Sequence, residues 1–278
     1  MNKNELIQAH FYLAKIAVAT KDPTTAVFFQ SLFNIFGKSS ATIQLQVAYA
    51  DYLTFQKNKP NIARAILEEA LSYATSKFEE ARIKLKLGYV LVFTGEFNKA
   101  LLYFSQIQIQ LTDHVLAQEA RFKVAQTSYF KGDFDWAKAQ LKVLKGAATQ
   151  LIANDAAALY LKISDNEPVD SIPSGLTEFA HAELLEFQNK NEEALTSLEN
   201  LFTRKDIFPN GLIPSEVIYS DVLFLKAKLL LKQKKYEEAI ATLSHIIRGD
   251  SQFFLADTIY FMIAETYYND LKKNSKAQ

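Results

Sequence analysis

The sequence predicts an all-α chain, a solenoid of antiparallel helix pairs. Three observations point there. Gly (8) and Pro (6) are scarce among 278 residues, which disfavours a turn-rich β fold. One phrase recurs along the chain: a turn, an aromatic or proline, two mostly polar residues, then alanine. Around each copy, small and large apolar residues fall at helical offsets.

The phrase appears as Asp22-Pro23-Thr24-Thr25-Ala26, Lys59-Pro60-Asn61-Ile62-Ala63, Glu96-Phe97-Asn98-Lys99-Ala100 and Asp133-Phe134-Asp135-Trp136-Ala137. These four alanines are each 37 residues apart. Ala194 and Ala239 follow after gaps of 57 and 45, and a weaker seventh copy ends at Ala277. Twelve residues before the alanines stand Ala14, Gly88, Ala125, Ala182 and Ala227; Asp51 is the exception, with Ala50 adjacent. Four residues after them come Leu67, Phe104, Leu141, Leu198 and Leu243, with Gln30 departing. Seven after come Phe33, Ala70, Ile107, Leu144, Leu201 and Ile246. Offsets of four and seven share one helix face. Facing small residues let two helix backbones approach closely.

First helices are therefore expected near 4–20, 41–57, 77–94, 114–131, 176–188, 216–232 and 252–269. Second helices are expected near 23–36, 60–73, 97–110, 134–145, 191–203 and 236–248. Pro23 and Pro60 would open second helices, where a missing N–H costs nothing. Residues 1–146 thus hold four repeats. Residues 147–176 hold an extra, unpartnered helix (Leu151 to Ile163) and a Pro-containing connector, and 177–278 hold two repeats, a further connector and a truncated seventh. An added helix of about 20 Å breaks the up-down alternation. The connector after it reaches about 40 Å extended, so the chain can run back. In the second connector, Ile207, Phe208, Leu212 and Ile213 are expected to fold back onto the array.

At these residues the chain resembles the tetratricopeptide repeat (TPR) family. The third copy, Leu87-Gly88 through Gly95-Glu96-Phe97 to Ala100 and Phe104, lies close to the family pattern. The resemblance implies a right-handed superhelical α-solenoid of TPR-like pairs whose first helices line a concave, peptide-binding face. The period of 37 exceeds the family's usual 34, so the turns between repeats should be longer. Phe134 to Leu144 followed by Leu151 to Ala156 is similar to segments of long bacterial TPR proteins. A stop just before the seventh second helix reads as a piece of a longer array, with the side of Ile259, Ile263 and Tyr267 left bare. Such an exposed half-repeat is compatible with a homodimer or with fraying.

Charge and composition exclude several classes. Lys+Arg and Asp+Glu both number 31, which argues against nucleic acid as partner and against RNA-binding pentatricopeptide arrays of similar period. Cysteine is absent, so there is no thiol nucleophile or Cys-ligated zinc. Neither a secretory signal nor a membrane-spanning stretch occurs, so direct membrane insertion is not expected, and the compartment stays open. No nucleotide, hydrolase or metalloprotease motif is found. Glu178-Phe179-Ala180-His181 is a lone Glu-x-x-His; a di-iron centre needs two, and Glu183 and Glu186 read as a solvated acidic face. Asp113-His114 reads as a helix start, and Trp136 as packing. No enzyme activity and no cofactor or metal are expected.

Family geometry places binding residues one and four after each first-helix small residue, and three before it. In the middle repeats these are Tyr52, Phe55, Leu85, Tyr89, Phe122, Gln126 and Tyr129, an aromatic-rich stripe. The same stripe would also serve as packing between adjacent first helices. A carboxylate clamp of the kind that holds chaperone tails is not expected, because its Asn positions carry Lys15, Tyr52, Tyr89, Gln126, Glu183 and Lys228. Acid and base near the end (Glu183, Glu186, Lys228, Lys232) suggest weak recognition of a charged peptide. The expected function is a non-catalytic protein- or peptide-binding scaffold; the alternative is a structural assembly segment of a larger protein.

Overall fold

The computed structural model describes residues 2–147, 149–167, 173–204, 216–249 and 255–271. Among them the chain is an all-α helical repeat. The helices are α1 (Lys3–Ala19), α2 (Thr25–Phe36), α3 (Ile43–Phe55), α4 (Pro60–Leu71), α5 (Lys77–Phe93), α6 (Phe97–Gln110) and α7 (Val115–Phe130). They continue as α8 (Phe134–Ala147), α9 (Gln150–Asp165), α10 (Leu176–Phe187), α11 (Asn191–Thr203), α12 (Glu216–Lys232), α13 (Tyr236–Gly249) and α14 (Ala256–Glu265). A 3₁₀ turn, Ser40–Thr42, precedes α3, and a π turn, Thr266–Asp270, follows α14. No helix among the described residues is long and apolar enough to cross a membrane.

Local chemistry sets the ends. Asn2 and Glu5 form a reciprocal capping box on α1, each bond 2.9 Å. Ser76 caps α5 by accepting from the Glu79 amide. The hairpin turns share a left-handed residue: Lys21, Asn58, Gly95, Gly132, Asn189 and Lys234 all have φ between 51° and 82°. In five of them the next amide donates to a carbonyl five residues back, as Glu96 does to Leu91 at 2.7 Å, closing the helix with a Schellman bond.

The second-helix alanines Ala63, Ala100, Ala137, Ala194 and Ala239 are fully buried, as are the large residues four further on. Gly88 shows how close the helices come: a Cβ there would lie 2.2 Å from the Phe104 ring.

The first hairpin corrects the sequence reading. Ala26 is only partly buried, and Thr25 takes the closed position, its hydroxyl donating to Asp22 and Ala17 carbonyls. Counted from Thr25, Phe29 and Leu32 fall four and seven residues on and are buried, so Gln30 was never the aligned residue. Pro23 accordingly lies in the turn, two residues before α2. The next hairpin compensates. Ala50, not Asp51, is the buried small residue, and the Lys59 amide reaches back six residues, to Leu53.

Contacts divide the chain into two compact units: Met1–Tyr129 with Asp133–Ala158, and Phe130–Gly132 with Leu159–Gln278. In unit 1, first helices α1, α3 and α5 lie side by side, and α2, α4 and α6 pack behind them around Phe29, Leu32, Leu45, Leu67 and Leu87. The extra helix expected at Leu151 to Ile163 is present as α9, but it is not unpartnered. Its start runs beside α7 in the same direction, with the Thr149 amide donating to Gln118 at 3.1 Å and Asp155 within electrostatic reach of Lys123. Within unit 2 its end lies beside α10, through Lys162 and Glu183. The chain has therefore placed two first-type helices in succession.

Unit 2 carries the hairpins α10–α11 and α12–α13, then α14. Ile259 is buried with Leu223, Ala227, Leu243 and Ile246. The side of α14 expected to be bare is thus the packed one, and the exposed side carries Tyr260 and Phe261. His114, not Asp113, opens α7: its Nδ1 accepts from the Leu116 amide, while Asp113 adopts a left-handed φ of 64°. Trp136, read as packing, is 52% exposed, so about half of its surface is covered. The centres of both connectors, including Ile207, Phe208, Leu212 and Ile213, and the seventh copy lie outside the described residues.

Candidate functional site

The first helices of unit 1 enclose an open groove of about 700 Å³. Its apolar floor comes from Phe11 and Val18 on α1, Ile43, Val47 and Ala48 on α3, Leu85 on α5 and Leu116 on α7. Phe11, Val47 and Leu85 share one register position, three before the small residues Ala14, Ala50 and Gly88. Polar residues edge the groove: Lys15, Gln44, Asp51, Arg82, Lys86 and Glu119.

The expected aromatic stripe divides. Tyr52, Leu85 and Tyr129 are buried, at 3%, 3% and 1% exposure; only Leu85 also reaches the groove. Tyr52 packs against Phe29 of α2, and its hydroxyl has no hydrogen-bond partner. Tyr129 packs against Phe134 of α8. Phe55 meets Phe93 edge-on at 5.6 Å. Tyr89, Phe122 and Gln126 are half-buried and join a polar cluster beside the groove.

In that cluster the Tyr89 hydroxyl donates to Glu119 on α7 at 3.1 Å, and Lys86 pairs with Asp51 on α3 at 2.8 Å. Lys123 donates to Gln126, and its ammonium lies 4.7 Å from the Tyr89 ring centre and 5.1 Å from that of Phe122. Burial pulls the Lys123 ammonium down to about 8, although Glu119 and Asp155 oppose the shift. Burial and the neighbouring Glu119 raise the Tyr89 phenol, and burial raises Asp51 against the pull of Lys86. The cluster is a rail of matched charges, Asp51 with Lys86 and Glu119 with the Tyr89 hydroxyl and Lys123.

Unit 2 has a different first-helix face. Lys162 pairs with Glu183 at 2.7 Å and sits over the Phe179 ring. Asp221 of α12 is 6% exposed, and burial raises its carboxyl to about 6, with Lys162 opposing. Lys232 pairs with Glu186, so of the charges expected to attract a peptide, Glu183, Glu186 and Lys232 are already paired. Glu178 of the lone Glu-x-x-His pairs with Arg204 at 2.8 Å.

The α12–α13 hairpin is the part of the chain that a known family matches. Residues 220–250 match the tetratricopeptide repeat family model. That stretch is a tetratricopeptide repeat. The matched stretch is the sixth copy of the alanine phrase, and it carries the repeat's buried small pair, Ala227 and Ala239. Among solved structures, a tetratricopeptide repeat protein from Parabacteroides merdae matches at 17% identity, covering 91% of this chain and 96% of its own, with a TM-score of 0.45. No match is found among curated proteins. The matched repeat supports a protein-interaction scaffold in general terms.

Register explains why the groove residues were only partly read from sequence. The position three before the small residue was identified, but Val47, Arg82, Lys86, Leu116 and Glu119 were missed. Arg82, Leu116 and Glu119 lie six to nine residues before their own small residue, near the starts of α5 and α7, whereas the one-residue slip on α3 hid Val47 and Lys86 lies two before Gly88. The signal available was apolar and charged residues repeating at those early positions.

Proposed function

We propose that the chain is a non-catalytic scaffold that holds a protein or peptide along the first-helix face of unit 1. The open groove across α1, α3, α5 and α7 carries this reading: an apolar floor edged by charge is the composition expected of a protein-binding cleft. Of the sequence candidates, Leu85 serves as floor, and Tyr89, Phe122 and Gln126 form the polar rail beside it. Tyr52, Phe55 and Tyr129 support the helices from behind. No cofactor is assigned.

Affinity capture from native cells tests the reading with two variants of matched helicity. Ala48→Glu places a charge in the groove floor, and Leu102→Glu changes an exposed residue of α6. Partners retained by wild type and Leu102→Glu but lost by Ala48→Glu are expected. Unchanged partners with Ala48→Glu would reject the groove.

The second reading, an assembly segment of a larger protein, draws on the exposed apolar side of α1. Tyr12, Leu13 and Ile16 are each more than half exposed. Loss of partners on Ile16→Glu, with Ala48→Glu harmless, would favour it.

A further inference from the structure

We propose that the unit 1 groove takes a partner segment in which a bulky apolar side chain is flanked by carboxylates, met by Lys15 and Arg82. The inference deepens the function proposed above and rests on it. The floor sets the apolar requirement, with Phe11, Val47, Ala48 and Leu85 at its centre.

Charge sets the rest. Both carboxylates of the groove are already engaged, Asp51 by Lys86 and Glu119 by the Tyr89 hydroxyl. Asp51 is thus matched by Lys86, and Glu119 has the Lys123 ammonium within electrostatic reach. Lys15 and Arg82 have no carboxylate partner among the described residues, and Lys15 meets only the ring of its neighbour Phe11. The two sit on different helices, Lys15 late in α1 and Arg82 early in α5, so they bracket the floor. A planar guanidinium matches a carboxylate through two parallel hydrogen bonds. A basic segment would bring like charge to both cations. The groove lies open along four helices, which suits a length of polypeptide better than an acyl chain seeking a closed tunnel.

A displayed library of short random peptides, selected on the wild-type chain, tests this. Selected peptides are expected to carry Asp or Glu on both sides of an aromatic or branched apolar residue. Their affinity should fall at least about tenfold on Lys15→Glu/Arg82→Glu, and should weaken as ionic strength rises. Three outcomes overturn the proposal: basic or charge-indifferent consensus peptides, a selection without any peptide sensitive to the double variant, or unchanged affinity at high salt. Peptides sensitive to Ala48→Glu but not to Lys15→Glu/Arg82→Glu would remove the charge reading while leaving the groove. Peptides sensitive to neither variant would remove both. Both lysine and arginine are solvent-exposed, so the double variant is expected to keep wild-type helicity and Tm.

Discussion

The first helices of the two units use the same pair of register positions for opposite purposes. The residue one after the small residue on α5, and likewise on α10, faces the residue six before it on the following first helix. In unit 1 that pair is Tyr89 and Glu119, a neutral donor on a carboxylate. In unit 2 it is Glu183 and Asp221, two carboxylates, with Lys162 as their shared cation. A phenol satisfies an acid without adding charge, so unit 1 keeps an apolar groove beside its polar rail. Two acids need a buried lysine, so unit 2 fills the equivalent face with ions.

The comparison is broken most sharply at the cations. Lys162→Met leaves Glu183 and Asp221 facing each other without a counter-charge, and should destabilise unit 2 by about 3–5 kcal/mol at neutral pH. Lys86→Met in unit 1 removes a more exposed partner of a single acid and should cost about 1 kcal/mol or less. Denaturant titration of both variants checks the ranking; equal losses would dissolve the contrast.

Close approach comes next. Gly88→Ala puts a methyl into the Phe104 ring and should cost about 2 kcal/mol, despite the better helix propensity of alanine. Ala182 and Ala227 already carry a Cβ at this position in unit 2, so a reverse change there, Ala182→Gly, should cost about 1 kcal/mol. A Tm unaffected by Gly88→Ala would show that the Phe104 ring can move aside.

Protonation of Asp221 gives a pH-dependent test. Its folded value, about 6, lies above the ordinary value of 3.8, so the folded chain holds a proton that the unfolded chain has released. Its contribution to stability is complete below about pH 4 and is lost as pH rises through about 6. Asp221→Asn should therefore stabilise the protein by about 2 kcal/mol at pH 7 and by little near pH 4. The same gain at both pH values would contradict a raised carboxyl.

The smallest effects compare two tyrosines on adjacent first helices, α3 and α5. Tyr89→Phe loses the bond to Glu119 and should cost about 1 kcal/mol. Tyr52→Phe removes a buried hydroxyl with no partner and should be neutral or stabilising by up to about 1 kcal/mol. Parallel thermal melts would show the difference in sign; a loss at Tyr52 would place an unseen partner on its hydroxyl.

By itself the sequence determined that the chain is helical, where each hairpin turns and which side of each second helix is buried. These are local matters. Alanine, then large apolar residues four and seven further on, defines a face whatever surrounds it. Ala100, Phe104 and Ile107 or Ala239, Leu243 and Ile246 could be read directly. Two hairpins escaped because one turn is a residue short and the next a residue long, which leaves the overall period intact and hides Thr25 and Ala50 behind Ala26 and Asp51. Only the tertiary structure decided which first-helix residues face the groove. That depends on how successive first helices lie side by side, through pairs about 30 residues apart such as Tyr89 and Glu119. The aromatic stripe looked uniform in sequence. Packing turned Tyr52 and Tyr129 into core and left the apolar floor to Phe11, Ala48 and Leu85, because ring burial against the second helices and charge matching between first helices compete for the same positions.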